Sequence, residues 1–260
     1  MKSLAVDTST NALSLALFQD DQLVFDQTYQ LSKQHGQTLI PLVNQLIKNA
    51  GWSHESINVL YIGRGPGSYT GMRIGATFAK TWAVAKSVQL YSFSSLAAMA
   101  SQIIDNDAQA LVLPIMNARR QSVYAGAYTW RDGYLQSMLE EGHFDFECWL
   151  KDQLLPLVNG KGYRRIYWVI DQAGDLIPLI YEHLKDWDGT YQIIEGSSAL
   201  VTLQRLPFLP TSLVSDPNLF VPFYAHESLA EQEWAQKRSV ELGTSEQESY
   251  VEQTDETDLS

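Results

Sequence analysis

The strand pattern at the start of this chain occurs again in its middle, and that recurrence limits the folds the chain can adopt. Short apolar runs separated by turn residues are typical of neighbouring β-strands. They predict two triplets of strands, at residues 4–6, 12–18 and 22–29, and at residues 110–116, 122–130 and 134–139. Each triplet is followed by alternating helix and strand patterns. We therefore predict two α/β lobes of ribonuclease-H-like topology, related by structural duplication and not by a sequence repeat.

These patterns divide the chain into four predicted parts. The N-terminal lobe covers residues 1–105, and a second, smaller α/β lobe covers residues 106–222. Residues 223–238 are predicted to form a C-terminal helix that packs back on the first lobe, and residues 239–260 an acidic tail.

Two further predictions concern the end of the second lobe. The apolar spacing at residues 198–206 favours a helix, and the prolines of residues 207–222 favour a loop.

Much of the negative charge lies in the predicted tail. The net charge is −12, and residues 239–260 contain seven acidic residues without any Lys or Arg. This segment has no apolar helical stripe, which predicts disorder. The remaining chain is only mildly acidic, so its composition is not that of a protein that binds nucleic-acid phosphates over its surface.

The same composition predicts a cytoplasmic protein. Cys148 is the only cysteine, which excludes an internal disulfide and fits a reducing compartment. Asp7 stands too close to the N-terminus for the apolar core of a signal peptide, and no apolar run has the length of a membrane span.

A glycine-rich segment, residues 63–75, lies between a predicted strand at 58–62 and a predicted helix at 70–86. Glycines at a strand-to-helix turn can expose backbone N–H groups to an anion. The segment lacks the Gly-Lys-Ser/Thr of a phosphate-binding P-loop, however, and no acidic residue follows at the distance of a dinucleotide fingerprint. A tight turn that positions the helix and an anion site that includes Arg73 both remain open.

Four stretches of the sequence together resemble one protein family. They are Leu4-Ala5-Val6-Asp7-Thr8-Ser9-Thr10, the helix that begins at His35, the run Gly65-Pro66-Gly67-Ser68-Tyr69-Thr70-Gly71-Met72-Arg73-Ile74-Gly75, and Asn117-Ala118-Arg119-Arg120-Gln121-Ser122-Val123-Tyr124. In their order and their residues they resemble the TsaB (YeaZ) family of tRNA threonylcarbamoyladenosine biosynthesis proteins. The resemblance covers most of residues 1–125 and is thin beyond them.

The resemblance implies a fold and a function. The fold is the two-lobed ASKHA fold of actin, Hsp70 and sugar kinases. The function is that of a non-catalytic scaffold in the synthesis of N6-threonylcarbamoyladenosine (t6A) in tRNA. The implied partners are the catalytic subunit TsaD and the ATPase subunit TsaE, with tRNA bound indirectly through the complex. The alternative is an ATP-dependent kinase or ATPase of the same fold.

No catalytic residue, metal or cofactor is predicted, although a nucleotide could be held at the partner interface. TsaD-like proteins hold their metal with two His one helical turn apart, and here Leu39 stands one turn after His35. A nucleotide could contact Asp7, Thr8 or Ser9, together with Gly65 and Gly67 of the glycine-rich segment. The chain has no glycine before Gly36 to let a hairpin wrap phosphates, which favours a self-bonded polar turn instead.

Two helices are predicted to carry the interface. The helix at 34–50 has one continuous apolar stripe, typical of packing on a core. In the TsaB family this helix and the one at 70–86 pair with the equivalent helices of TsaD or of a second copy. The predicted interface residues are His35, Leu39, Leu42, Val43, Leu46, Met72, Arg73 and Phe78.

Overall fold

The computed structural model describes residues 1–31 and 34–225, and its first sheet has six strands. In spatial order they are β11, β5, β4, β1, β2 and β3. Their bounds are β1 Lys2–Asp7, β2 Ala12–Gln19, β3 Gln22–Gln30, β4 Val59–Gly63, β5 Gln89–Phe93 and β11 Thr211–Val214.

The second sheet repeats this arrangement with five strands in the order β10, β9, β6, β7, β8. Their bounds are β6 Ala110–Arg119, β7 Ser122–Arg131, β8 Tyr134–Asp145, β9 Arg165–Asp171 and β10 Thr190–Glu195. In both sheets the three strands of the triplet pair antiparallel. The next two strands of the chain pair in parallel on the other side of the triplet's first strand. The predicted fold class, with two ribonuclease-H-like lobes, is confirmed.

Within the described residues, six α-helices connect or cover these sheets. They are α1 His35–Asn49, α2 Tyr69–Lys86, α3 Ser95–Ala100, α4 Phe146–Trp149, α5 Leu155–Lys161 and α6 Ile177–Leu184. A π-helical turn joins α4 to α5. The Ser68 hydroxyl accepts a hydrogen bond from Gly71 N–H at the start of α2, and the Ser94 hydroxyl accepts one from Ala97 N–H at the start of α3. These side chains satisfy N–H groups that the first turn of a helix leaves unpaired.

The core has three parts that follow the two sheets. One lies under α1 and α2 on the outer face of the first sheet, and another lies under α4, α5 and α6 on the second sheet. The third surrounds α3, all six residues of which are buried, and it combines side chains from β1, β2, β6 and β7. The two sheets therefore share a common core around α3.

The end of the second lobe differs from its sequence predictions. A short 3-10 turn at Gly196–Ala199 stands at the start of the predicted helix at 198–206. Beyond it, Val201 and Leu203 are both buried, and this two-residue spacing is that of an extended segment. The predicted loop at 207–222 contains β11, which pairs antiparallel with β5 of the first sheet.

Two other predictions lie outside the described residues: most of the C-terminal helix at 223–238, and the whole tail at 239–260. Within the described part of the chain, none of the helices has the length and hydropathy needed to cross a bilayer.

Candidate functional site

The glycine-rich segment forms a tight turn whose backbone is held by the chain itself. Ser68 N–H donates to the carbonyl oxygen of Ser9 at 2.6 Å, and Phe223 N–H donates to that of Arg64 at 2.7 Å. The Ser95 hydroxyl accepts from Gly65 N–H at 3.2 Å, while Ser95 N–H donates to the Gly65 carbonyl at 3.0 Å. The N–H groups of Gly65 and Ser68 are therefore already used in hydrogen bonds within the protein.

Three glycines of this segment lie against the turn after β1. A Cβ atom at Gly67 would be 2.2 Å from the carbonyl oxygen of Ser9. At Gly71 it would be 2.1 Å from the carbonyl oxygen of Thr8, and at Gly75 it would be 2.4 Å from the Thr8 hydroxyl. The glycines thus allow the start of α2 to approach the turn closely, a role that their lack of a side chain explains without a ligand.

Asp7 is buried at the end of β1, and both oxygens of its carboxylate accept hydrogen bonds from within the chain. It accepts hydrogen bonds from Ser9 N–H at 2.8 Å, from the Ser9 hydroxyl at 2.6 Å and from the Ser95 hydroxyl at 2.5 Å. Burial raises the pKa of Asp7 above its usual value, and these hydrogen bonds together with the nearby His35 oppose that rise. The nucleotide candidates Asp7 and Ser9 therefore bond to each other in a turn that includes Thr8. Gly67 packs beside this turn, whereas Gly65 packs against Met72 and Phe223.

Polar contacts also tie the two lobes together near this turn. The guanidinium of Arg64 donates to the Glu141 carboxylate at 3.1 Å, and the Tyr128 hydroxyl donates to the same carboxylate at 2.5 Å. Burial raises the pKa of Tyr128 well above its usual value, so this hydroxyl keeps its proton and acts as a donor.

A second contact joins the first hairpin of each sheet. The side-chain amides of Asn11, after β1, and Asn117, near the end of β6, both donate to Gln172. The corresponding hairpins of the two lobes are therefore linked through one residue.

An apolar groove of about 660 Å³ runs between α1 and α2 on the outer surface of the first lobe. Its side chains include Ile40, which is 58% exposed, and Tyr69, which is 44% exposed. Phe78 and Trp82 are in tilted ring contact, with their centroids 5.4 Å apart. The groove is lined by Gly36, Leu39, Ile40, Tyr69, Thr70, Arg73, Ile74, Thr77, Phe78, Thr81, Trp82, Ala85 and Lys86.

The predicted interface residues divide between this groove and the core. Arg73, Phe78 and the buried Leu39 line the groove, and Leu42 is half-buried beside the core. Four other predicted residues are buried, as Leu39 is, and do not line the groove: His35, Val43, Leu46 and Met72. His35 Nε2 lies 3.2 Å from the carbonyl oxygen of Ala12.

Side chains that are buried in the chain offer little surface to another protein, so burial narrows the predicted contact set, which stays a prediction. The four buried residues outside the groove would stabilise an interface only indirectly, by packing beneath the residues that line the groove. Ile40 and Thr77, which the sequence prediction omitted, offer exposed surface in the groove instead. Ile40 lies outside the apolar stripe of α1, and an apolar residue outside the stripe was the sequence signal that could have identified it as exposed.

Within residues 1–31 and 34–225, no three His, Cys, Asp or Glu side chains converge closely enough to hold an ion.

Comparison with known proteins agrees with this architecture. Residues 29–166 match the family model described as TsaD, tRNA N6-adenosine threonylcarbamoyltransferase, and so more than half of the chain is matched. The chain belongs to the TsaD family. The region matched to TsaD includes α1, α2 and the glycine-rich turn, and thus the whole groove.

Relatives named TsaB confirm the resemblance predicted from the sequence. The TsaB protein of Bacillus subtilis is 33% identical over 151 residues, which are 58% of this chain and 65% of that protein. The TsaB protein of Escherichia coli is 35% identical over 129 residues, which are 49% of this chain and 55% of that protein. The match thus spans between half and two thirds of each relative.

A solved structure extends the likeness in fold to the second lobe. YeaZ from Pseudomonas aeruginosa superposes with a TM-score of 0.63 at 21% identity, covering 91% of this chain and 93% of that one.

Proposed function

We propose that this chain is a non-catalytic subunit of the t6A synthesis machinery and that it supports a TsaD-type catalytic subunit. The observation that carries the proposal is the apolar groove between α1 and α2, which lies in the region matched to the TsaD family. Proteins seldom leave a concave apolar surface open to water unless it binds something. A complementary pair of helices would cover Ile40, Phe78 and Trp82 and remove their apolar area from water.

The hydrogen bonds of the turn after β1 support a non-catalytic role. A nucleotide or metal-dependent reaction would need Asp7 to face a ligand, but Ser9 and Ser95 occupy its carboxylate oxygens. Hydrolysis by the one cysteine is also disfavoured, because the hydrogen-bonded Asp145 carboxylate raises the pKa of the Cys148 thiol. In the proposed complex, TsaD performs the transfer, TsaE joins the pair, and tRNA is held mainly by the partners.

Complex formation with the TsaD-type protein of the same organism tests the proposal. We expect the two purified proteins to sediment together as a heterocomplex at micromolar concentration. Sedimentation velocity of each protein alone and of the mixture measures this directly. Independent sedimentation at all concentrations would contradict the proposed function.

The alternative, a kinase or ATPase, predicts a different behaviour of Asp7. We expect calorimetry of the isolated chain with Mg-ATP to show no micromolar binding. We also expect Asp7→Ala to lower the free energy of unfolding by about 1–3 kcal/mol for each buried donor left without an acceptor. Denaturant titration measures that loss. Micromolar Mg-ATP binding that disappears in Asp7→Ala would support the enzyme instead.

A further inference from the structure

The two helices of the groove differ in charge from the rest of the molecule. The chain has 30 acidic residues against 18 basic ones, and yet neither α1 nor α2 contains any Asp or Glu. The same helices carry four basic residues, which are Lys48, Arg73, Lys80 and Lys86. The described residues that line the groove include no Asp or Glu, in a protein whose net charge is −12.

Arg73 and Lys86 are the two of these cations that line the groove. The exposed guanidinium of Arg73 lies over the ring of Tyr69, 4.9 Å from the ring centroid. Among the residues that the structure describes, none forms an ion pair with Arg73. Lys86, which also lines the groove, differs because it is paired with the exposed Glu55 at 3.0 Å.

We infer that the groove selects a partner whose docking helices are acidic, with a carboxylate placed to meet Arg73, and that it disfavours a second copy of this chain. The inference rests on the proposed function and adds the chemistry of the partner. In a symmetric pair built through the same helices, each copy would bring its own Arg73 and no carboxylate from the groove. Like charges would then meet, whereas an acidic partner would bring a carboxylate that pairs with Arg73.

Salt affects these two associations in opposite directions. Screening weakens attraction between opposite charges and also weakens repulsion between like charges. Raising the salt concentration should therefore loosen the complex with the acidic partner and should not loosen any self-association of this chain.

The test measures the dissociation constant of the complex with the TsaD-type protein at about 0.1 M and about 1 M salt, between which the Debye length falls from about 10 Å to about 3 Å. We expect the dissociation constant to rise about tenfold over this range, and Arg73→Glu to raise it about tenfold at low salt. Lys185→Glu is the matched control, because it changes the net charge equally at an exposed position outside the groove. It should change the dissociation constant by less than about twofold.

Three outcomes would overturn the inference. One is a dissociation constant that salt leaves unchanged or lowers. Another is an Arg73→Glu variant that binds as Lys185→Glu does. The third is self-association of the wild-type chain at low salt as tight as the heterocomplex. Each of these leaves the proposed function standing, whereas no complex at either salt concentration would overturn both.

Discussion

Replacing Gly71 with alanine is expected to destabilise the protein by at least about 2 kcal/mol, although the same change in a helix normally adds up to about 1 kcal/mol of stability. The added Cβ would lie 2.1 Å from the carbonyl oxygen of Thr8, which is a backbone atom. Thr8 cannot retreat easily, because its hydroxyl donates to the Gly71 carbonyl at 2.7 Å and Ser9 is bonded to Ser68. Denaturant titration followed by circular dichroism measures the loss.

Gly160 provides the matched control for this substitution. It lies in α5 without a positive φ, and no atom lies within 4 Å of the position that an added Cβ would take. Gly160→Ala should therefore raise the free energy of unfolding by about 0.5–1 kcal/mol, as helix propensity predicts. If Gly71→Ala behaved like Gly160→Ala, the close contact between α2 and the turn after β1 would not exist.

Introducing a charge into the groove should have the largest effect on partner binding. Ile40 lines the groove and is 58% exposed, so glutamate at this position can be accommodated in the free protein. In the complex the carboxylate would be buried against apolar side chains, and we expect Ile40→Glu to weaken binding by about 3 kcal/mol, or roughly 100-fold. Calorimetric titration with the TsaD-type protein measures the change.

Val84 is a suitable control for Ile40. It is 51% exposed on α2 but does not line the groove. Val84→Glu should bind the partner about as well as the wild type, and both variants should unfold within about 0.5 kcal/mol of it. Equal losses of affinity in the two variants would place the interface elsewhere on these helices.

Much of the fold could be predicted from local sequence patterns. The strand triplets are marked by short apolar runs between turn residues, and the helix that becomes α1 has helical periodicity. Strand β11 has only four residues in a proline-rich segment, and its pairing with β5 is a contact between distant parts of the chain. Local patterns contain no information about such a pairing.

The candidate site was predictable only in part, for a physical reason. An apolar stripe looks the same whether it packs on the chain's own sheet or on another protein. The stripe of α1 proved to serve the core, where Val43 and Leu46 are buried, and the exposed Ile40 lies beside it. The close approach of Gly67 and Gly71 to the turn after β1 fits the prediction of a tight strand-to-helix turn.

Reconstitution of t6A formation with purified partners tests the central proposal most directly. The rate of modified tRNA formation should be measured with the wild-type chain, with Ile40→Glu, with Val84→Glu, and without this chain. We expect product with the wild type and with Val84→Glu, and little product with Ile40→Glu or when the chain is omitted. Equal product formation without the chain, or full support by Ile40→Glu at a concentration that leaves it unbound, would contradict the account.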